Sequence, residues 1–456
     1  MTTYQDFLAV EQTDRDRAQF VRGLIKDYSS SDAYKTAAVA DDYCRGVNTT
    51  ITQYQKTITT VTGQVVPDTI SAVHRSTSNF FEIFTTQLNQ YLLGNGAKWG
   101  NDETAEKLGR DFDTRLQEAG KAALAGGVSY GFFNLDHLEV FTALEFAPLW
   151  DEENGSLSAG VRFWQIDRSK PLRATLYEID GYTNYMWSED KKLTPGRNWE
   201  RIEDGVYMVA KRPYILKVQE SEADGVEIYD GENYPAFPIV PLWGNPHKQS
   251  ELVGLREKID AYDFILNGFE DDLDNAQLYW IIKGAGGMDD PSLMQFLDRL
   301  KTVKAAAPED GQEVDAVPVN IPYEARERLL DRLEKQLYKD AMITNPLDLA
   351  SSAATATQIR AAYERQNVKA DQFEYCILGF INGILAIAGI EDSPTFTRST
   401  IVNTQEEIQT LVMAAAYLGQ EYTTRKILSL LGDGDQADDV LRQVDAEALD
   451  TLGGIE

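Results

Sequence analysis

Residues 250–274, SELVGLREKIDAYDFILNGFEDDLD, constrain this chain more than any other stretch. Leu252, Leu255, Ile259, Tyr262, Leu266, Phe269 and Leu273 follow one another at alternating steps of three and four. That spacing predicts an α-helix with a narrow apolar seam, the pattern of a helix packed lengthwise on another helix. Most of the remaining surface is acidic: Glu251, Glu257, Asp260, Asp263, Glu270, Asp271, Asp272 and Asp274, against Arg256 and Lys258. At ~1.5 Å per residue the rod runs roughly 37 Å. Such a rod reads as a structural part that packs against copies of itself, not as an active site.

The whole chain shares this acidity. Its 456 residues carry a formal net charge of −30. A surface of that sign repels polyanions at long range, which excludes a basic nucleic-acid grip and an anionic membrane as partner. Two readings of the charge stand side by side. It serves solubility, or it makes a surface that nucleic acid passes without sticking. The hydrophobic content of 43% is ordinary for a chain that buries a core. The length allows two or more domains or one extended, multi-part subunit. Cys44 and Cys376 lie far apart and form no disulfide framework, which matches a reducing compartment. The N-terminus, MTTYQDFLAVEQTDRDR, shows no signal pattern. The longest apolar run, CILGFINGILAIAGI at 376–390, is interrupted by Asn382. A span needs about 18–20 apolar residues, so the run predicts a buried helix.

Along the chain, helices are expected over Asp14–Tyr28, Asn79–Leu93 and Asp102–Ala125, the second stopped by Gly94-Asn95-Gly96 and the third by Gly126-Gly127. From Val128 to Val240 short alternating runs rich in Tyr, Trp, Phe, Val and Thr predict an antiparallel sheet. Asn154-Gly155, Asp180-Gly181, Asp204-Gly205 and Asp230-Gly231 mark its turns. After the acidic helix, strand-like Leu278–Lys283 and Glu313–Asn320 flank GAGG at 284–287 and a short helix near Pro291–Val303. A second amphipathic helix, Tyr323–Thr344, carries Leu330, Leu333, Leu337 and Ala341 on its apolar line. Arg326, Arg328, Arg332, Lys335 and Lys339 balance its acids. Asn345-Pro346 breaks it. The segment 345–357 holds one charge, Asp348, and reads as a small, polar, flexible loop. A third long helix runs to about Gly389, and a helical pair near Thr404–Leu418 and Thr423–Leu431 precedes an acidic tail. Two long helices flanking an inserted module are expected to run antiparallel. The fold class is α+β.

No catalytic constellation, cofactor site or metal site emerges. His74, His137 and His247 have no ligand spacing and no neighbouring nucleophile, so they read as solvated or capping residues. GAGG lacks the elements of a phosphate cradle. GDGDQADD at 432–439 lacks the glutamate that closes a calcium loop. Paired carboxylates such as Asp271/Asp272 leave open an acidic intracellular enzyme that works through two of them. Another oligomeric virion or scaffold protein using the same helical seam also stays open. The leading expectation is a protein that is not an enzyme.

Read in order, four landmarks resemble the SPP1-type portal family of tailed double-stranded DNA bacteriophages. They are Asn79 through Tyr91-Leu92-Leu93-Gly94, APLWDEENGSLSAGVRFW at 147–164, GNPHKQSELVGLREKIDAYDFILNGFEDDLDN at 244–275 and TATQIRAAYERQNVKADQFE at 355–374. The third is the specific one, through Asn245, Ser250, Leu252, Ile259, Asp260, Ala261, Tyr262, Asp263 and Asn275. One departure stands: Ser351-Ser352-Ala353 occupies the place of the family's Ser-Gly pair.

The resemblance implies a homo-oligomeric ring, of twelve subunits in the usual case, at one vertex of the virion capsid, assembled in the host cytoplasm. Double-stranded DNA is packaged through its channel by terminase and later ejected. A head–tail adaptor docks on it, and major capsid and scaffold proteins surround it. Carried over, residues 1–249 and 358–395 become the wing, 250–274 and 323–344 the stem, 275–322 the clip, 345–357 the tunnel loop and 396–456 the crown. Asn345, Leu347, Asp348, Ser351, Ser352 and Thr355 then face DNA from the loop. Glu257, Asp260, Asp263, Glu270, Asp271 and Asp274 either line the channel or face neighbouring subunits and pair with Arg326, Arg328 and Arg332 of the second stem helix. Leu333 and Leu337 pack that helix.

Overall fold

The computed structural model describes residues 2–11, 13–59, 63–68, 71, 73–190, 196, 198–220, 227–275, 279–283, 291, 294–295, 313–317, 323–349, 356–399, 404–431 and 437–442. The chain divides into two units, each built from discontinuous segments. The first takes 1–40, 83–251 and 338–456; the second takes 41–82 and 252–337. Helices α1 to α7 span Tyr4–Leu8, Asp14–Ser29, Asp32–Cys44, Thr49–Thr52, Phe80–Leu93, Asp102–Leu108 and Phe112–Gly126. Strand β1 is Thr57–Thr59, β2 Val65–Pro67 and β3 Ala97–Lys98.

The expected antiparallel sheet of the first unit is present as two sheets and a separate hairpin. Strands β4 (Val128–Asn134), β5 (His137–Thr142), β6 (Phe146–Trp150), β7 (Leu157–Trp164), β8 (Leu172–Glu178) and β9 (Gly181–Trp187) follow one another. They are succeeded by β10 (Glu200–Glu203), β11 (Val206–Arg212), β12 (Ile215–Glu220), β13 (Glu227–Glu232) and β14 (Ile239–Trp243). One sheet has the order β10-β11-β9-β8-β7-β6, the other β14-β4-β5, and β12 pairs with β13. Period two explains the first sheet: Ala159, Val161 and Phe163 of β7 share one buried face with Ala174, Leu176, Tyr185 and Trp187. Helix α2 covers that face with Val21, Leu24, Ile25 and Tyr28. A second core, rich in rings, gathers Tyr130, Phe132, Phe141, Phe146, Tyr177 and Tyr214.

The remaining helices are α8 (Arg256–Asn275), α9 (Tyr323–Ala341), α10 (Pro346–Leu349), α11 (Ala356–Ala388), α12 (Thr404–Leu418) and α13 (Gln420–Leu431). The apolar run at 376–390 lies largely on α11, with Ile377, Phe380, Ile381, Ile384 and Leu385 buried. No helix among the described residues is long and apolar enough to cross a membrane.

In the second unit α8 leads into strand β15 (Tyr279–Lys283), which pairs antiparallel with β16 (Glu313–Val317) before α9. Arg326, near the start of α9, pairs with Asp272 at 2.5 Å and donates to the Gly268 carbonyl at 3.1 Å, near the end of α8. The two long helices therefore run antiparallel, as expected of rods that flank an inserted module. GAGG, most of the expected helix near 291–303, and residues 432–436 of the acidic 432–439 turn lie outside the described residues.

Three local expectations need correction. The helix expected over 102–125 is two helices, because Gly109 turns the chain at φ +92° and a Cβ there would stand 2.5 Å from the Asp136 carbonyl oxygen. Asp230-Gly231 is not a turn: Gly231 lies inside β13 opposite Leu216, while Gly155, Gly181 and Gly205 do take positive φ. The second long helix stops at Ala341, before the proline, where Met342 adopts φ +57°. Pro346 instead starts α10, a position where its missing N–H costs nothing.

Gly127 closes α7 at φ +88°, and a Cβ on it would stand 2.8 Å from the Ser250 amide nitrogen. Gly127→Ala combines left-handed strain with a backbone clash and is expected to lose about 2–4 kcal/mol of stability. Gly155→Ala, at φ +70° with nothing within 4 Å, should lose only ~1 kcal/mol. Denaturant midpoints of the two variants check this ranking.

Candidate functional site

Helix α8 carries two stripes. The apolar one is covered unevenly within the second unit. Leu252, Leu255 and Ile259 are buried, the first two in the turn that precedes Arg256. Tyr262 sets its ring edge-on to Phe80 at 5.0 Å. Leu266 and Phe269 are half-buried, and Leu273 is 53% exposed. The seam thus runs out of cover toward the end of the helix. Phe269 is met there by the Arg326 guanidinium, 5.9 Å from the ring centre.

The second stripe is polar and is occupied by residues 74–78, a strap laid along the helix. The Ser78 N–H donates to Asp263 at 3.0 Å, the Ser76 N–H to Asn267 at 2.6 Å and the His74 N–H to Asp271 at 2.7 Å. Asn267 returns a bond from Nδ2 to the Ser76 carbonyl at 2.8 Å. Every second residue of the strap meets every fourth residue of the helix, in the opposite direction. The lengths agree: four residues of extended chain cover roughly 13 Å, and eight residues of helix roughly 12 Å. The strap's alternate N–H groups, which a lone extended segment would leave to water, thereby find acceptors.

The rest of the stripe is tied to the segment before the strap. Asp260 accepts from the Tyr43 hydroxyl and from Thr50 Oγ1, the latter at 2.9 Å. Asn48 caps α4 with its Oδ1 and donates Nδ2 to Asp263 at 2.8 Å. Ser76 Oγ donates to Glu270 at 2.9 Å. Burial pushes the Tyr43 phenol up to about 12, with the Asp260 carboxylate adding to the rise. Burial also raises the Asp263 carboxyl, and the hydrogen bonds from Ser78 and Asn48 oppose that rise.

These contacts correct part of the sequence reading. Asp263 is fully buried and Asp271 is 8% exposed, so neither presents its carboxylate to solvent. Each is spent on the strap, where an extended chain supplies donors at helical spacing. Asp260 is half-buried against Tyr43 and Thr50, and Glu270 is half-buried beside Ser76 of the strap. Glu257 and Asp274 are the exposed members of the acidic set. On the second helix Arg326 reaches Asp272, Arg328 reaches Glu324 one turn away and Arg332 is exposed. Leu333 is half-buried and Leu337 fully buried. Asn48, Ser76, Ser78 and Asn267 escaped the sequence reading, and His74, expected to be solvated or capping, instead sets its ring between Asp271 and Asp274; the i, i+4 run Asp263, Asn267, Asp271 was the available signal.

In the first unit, the root of the uncharged loop is held tightly. Lys369 Nζ donates to the Ala341 carbonyl at 2.8 Å and pairs with Glu251 at 2.5 Å, a cation placed at the carbonyl end of α9. The Thr344 N–H donates to Gln366 Oε1 at 3.0 Å, its hydroxyl to the Ala362 carbonyl, and its own carbonyl accepts from Gln87. Asn345 is buried and caps the Leu347 N–H, while Leu347 is 75% exposed. Asp348 lies in α10; Ser351, Ser352 and Thr355 lie outside the described residues. Among the described residues no group of three His, Cys, Asp or Glu is placed to hold a metal ion.

Asn267→Ala removes both bonds to Ser76 and should lose about 1–3 kcal/mol, seen as faster amide exchange over 74–78. Glu257→Ala, at an exposed position, should stay within about 0.5 kcal/mol. Equal losses would remove the distinction between the strap-bound stripe and the exposed face of α8.

The chain matches the family described as phage portal protein, SPP1 Gp6-like, over residues 34–449. It is similar to the portal protein of Bacillus phage SPP1, 24% identical over 400 residues, covering 79% of this chain and 74% of that protein. It is also 26% identical over 185 residues to the portal protein of Clostridium phage phiCD119, covering 38% of this chain and 41% of that relative, less than half its length. Among solved structures, a chain from the neck of an empty gene transfer agent particle superposes with a TM-score of 0.41 at 11% identity, over 77% of this chain and 90% of that one. By its match over 34–449, this chain belongs to the SPP1 Gp6-like family of phage portal proteins.

Proposed function

We propose that this portal protein assembles as a ring, of twelve copies, through which double-stranded DNA is packaged by terminase and later ejected. The family match over 34–449 is the observation that carries this reading. The α8–β15–β16–α9 arrangement supports it: two antiparallel helices joined at one end by a hairpin form a rod suited to bundling around an axis. In this assignment 250–274 and 323–344 are the stem, 275–322 the clip that meets terminase and the head–tail adaptor, and 345–357 the tunnel loop. Residues 1–249 and 358–395 are the wing, facing capsid and scaffold proteins, and 396–456 the crown.

The exposed end of the apolar seam, Leu273 beside half-buried Leu266 and Phe269, is available to a neighbouring subunit, as are Tyr323 and Leu329 on α9. Of the acidic set, Glu257 is the exposed residue open to face DNA, whereas Asp274, also exposed, pairs with the His74 ring at 3.3 Å. A net charge of −30 per subunit keeps the duplex from being held, because inward lysines and arginines would release counterions and bind phosphate. Loop residues Leu347, Asp348, Ser351, Ser352 and Thr355 would touch the duplex without gripping it, while Asn345, expected to face DNA, is buried at the loop's root and caps the Leu347 N–H instead.

Negative-stain images of the purified protein should show closed rings with a central hole; a compact single copy would overturn the reading. Glu257→Lys changes the charge by two units per subunit, repeated around the ring. It should leave rings intact, slow packaging at low salt and restore the rate as salt rises. A rate unchanged at every salt concentration would remove Glu257 from the channel wall.

A further inference from the structure

His74 is bracketed by carboxylates on both sides of its ring. Nδ1 stands 2.9 Å from Asp271 Oδ1, and Nε2 stands 3.3 Å from Asp274 Oδ2. A neutral imidazole carries one N–H and one lone pair. With carboxylate oxygens facing both nitrogens, the neutral ring would point its lone pair at a negative oxygen whichever tautomer it took. Only the imidazolium donates to both. We propose that His74 is a proton-dependent latch that tightens the strap on the far end of α8: charged, its ring donates to both Asp271 and Asp274, and on losing its proton it keeps one of those bonds, turns a lone pair toward the other carboxylate and leaves that end held more loosely by the backbone N–H and a single ring bond.

The surroundings agree. The charged groups that face this ring are Asp271, Asp274 and Glu270 on α8, with Lys56, the residue before β1, reaching Asp271 from the other side at 3.9 Å. The hydrogen bond to Asp271 raises the His74 pKa above 6.5, with Asp274, Asp271 and Glu270 adding to the rise and desolvation opposing it. The pKa is higher in the folded chain than in the unfolded one. The latch therefore contributes fully below pH 6.5 and is lost as pH rises through the folded value. The two rungs nearer the start of α8, Ser76 on Asn267 and Ser78 on Asp263, contain no histidine, so the change is confined to one end of the strap. Because α8 ends at Asn275 and β15 begins at Tyr279, the latch sits where the helix hands over to the hairpin. Its proton sets how firmly the last turn of α8 is held at that junction.

This chain has three histidines, so ring-labelled histidine NMR gives three signals, and His74→Gln identifies the one that disappears. The expected result is a His74 midpoint above 6.5, together with amide protection over 73–76 and 270–275 that falls several-fold across that midpoint after correction for intrinsic exchange. Gln keeps the backbone N–H to Asp271 and one side-chain donor, so the variant retains the strap but should show no pH-dependent fall. A second variant, Asp274→Asn, should lower the midpoint of His74 while leaving the strap in place. A His74 midpoint at or below 6.5, or an equal pH-dependent fall in wild type and His74→Gln, would overturn the latch.

Discussion

The second unit depends on a match between two repeats. An extended chain presents an N–H on the same side every two residues, roughly 6.6 Å apart. A helix presents a side chain on the same side about every four residues, roughly 6 Å apart. Over the short run from 74 to 78 the two spacings agree well enough for His74, Ser76 and Ser78 to find Asp271, Asn267 and Asp263 in succession. The strap needs no second strand to satisfy its backbone, because side chains of α8 supply the acceptors. Hydrogen bonds to charged groups are worth more than neutral ones, about 1.5–3 kcal/mol net. Two of these three rungs are of that kind.

This use of carboxylates alters how the acidity of the chain is understood. Seventy-three acidic residues against forty-three lysines and arginines invite a uniform reading, in which every aspartate is a surface charge. Asp263 and Asp271 are instead internal acceptors, each satisfied by at least two donors. Asp272 is tied to Arg326 across the two long helices, and Glu251 to Lys369 in the first unit. The acidic surface left to solvent then rests on fewer positions than the sequence suggests. On α8 Glu257 stays open to solvent, while exposed Asp274 is drawn to the His74 ring.

The loop that follows α9 shows the same separation between anchor and tip. Its root is not loose: Thr344 is held through its N–H, its hydroxyl and its carbonyl by three different residues. Lys369 closes the carbonyl end of the preceding helix, and Asn345 starts the next. Leu347 projects from this fixed base with most of its surface exposed. An exposed residue on so firm a root keeps its place whatever its side chain.

Much of this protein was legible from residue order alone, wherever the information is periodic and local. The steps of three and four in 250–274 and 323–344 marked two long helices, since one apolar stripe per helix needs no knowledge of what covers it. Alternation between Val128 and Val240 marked the antiparallel strands, and glycines at 155, 181 and 205 marked turns because few other residues accept those backbone angles. The specific run at 244–275 was enough to point to the portal family. What residue order left undecided was which side of α8 meets what. Periodicity separates a polar stripe from an apolar one, but it does not tell a stripe facing water from one facing another segment of the same chain. Asp263 and Glu257 are the same kind of residue on one helix, yet one is sealed under a strap from nearly two hundred residues earlier and the other is open. Only the folded chain decides that, because it sets which distant donors arrive at hydrogen-bond distance and which carboxylates are left to the solvent.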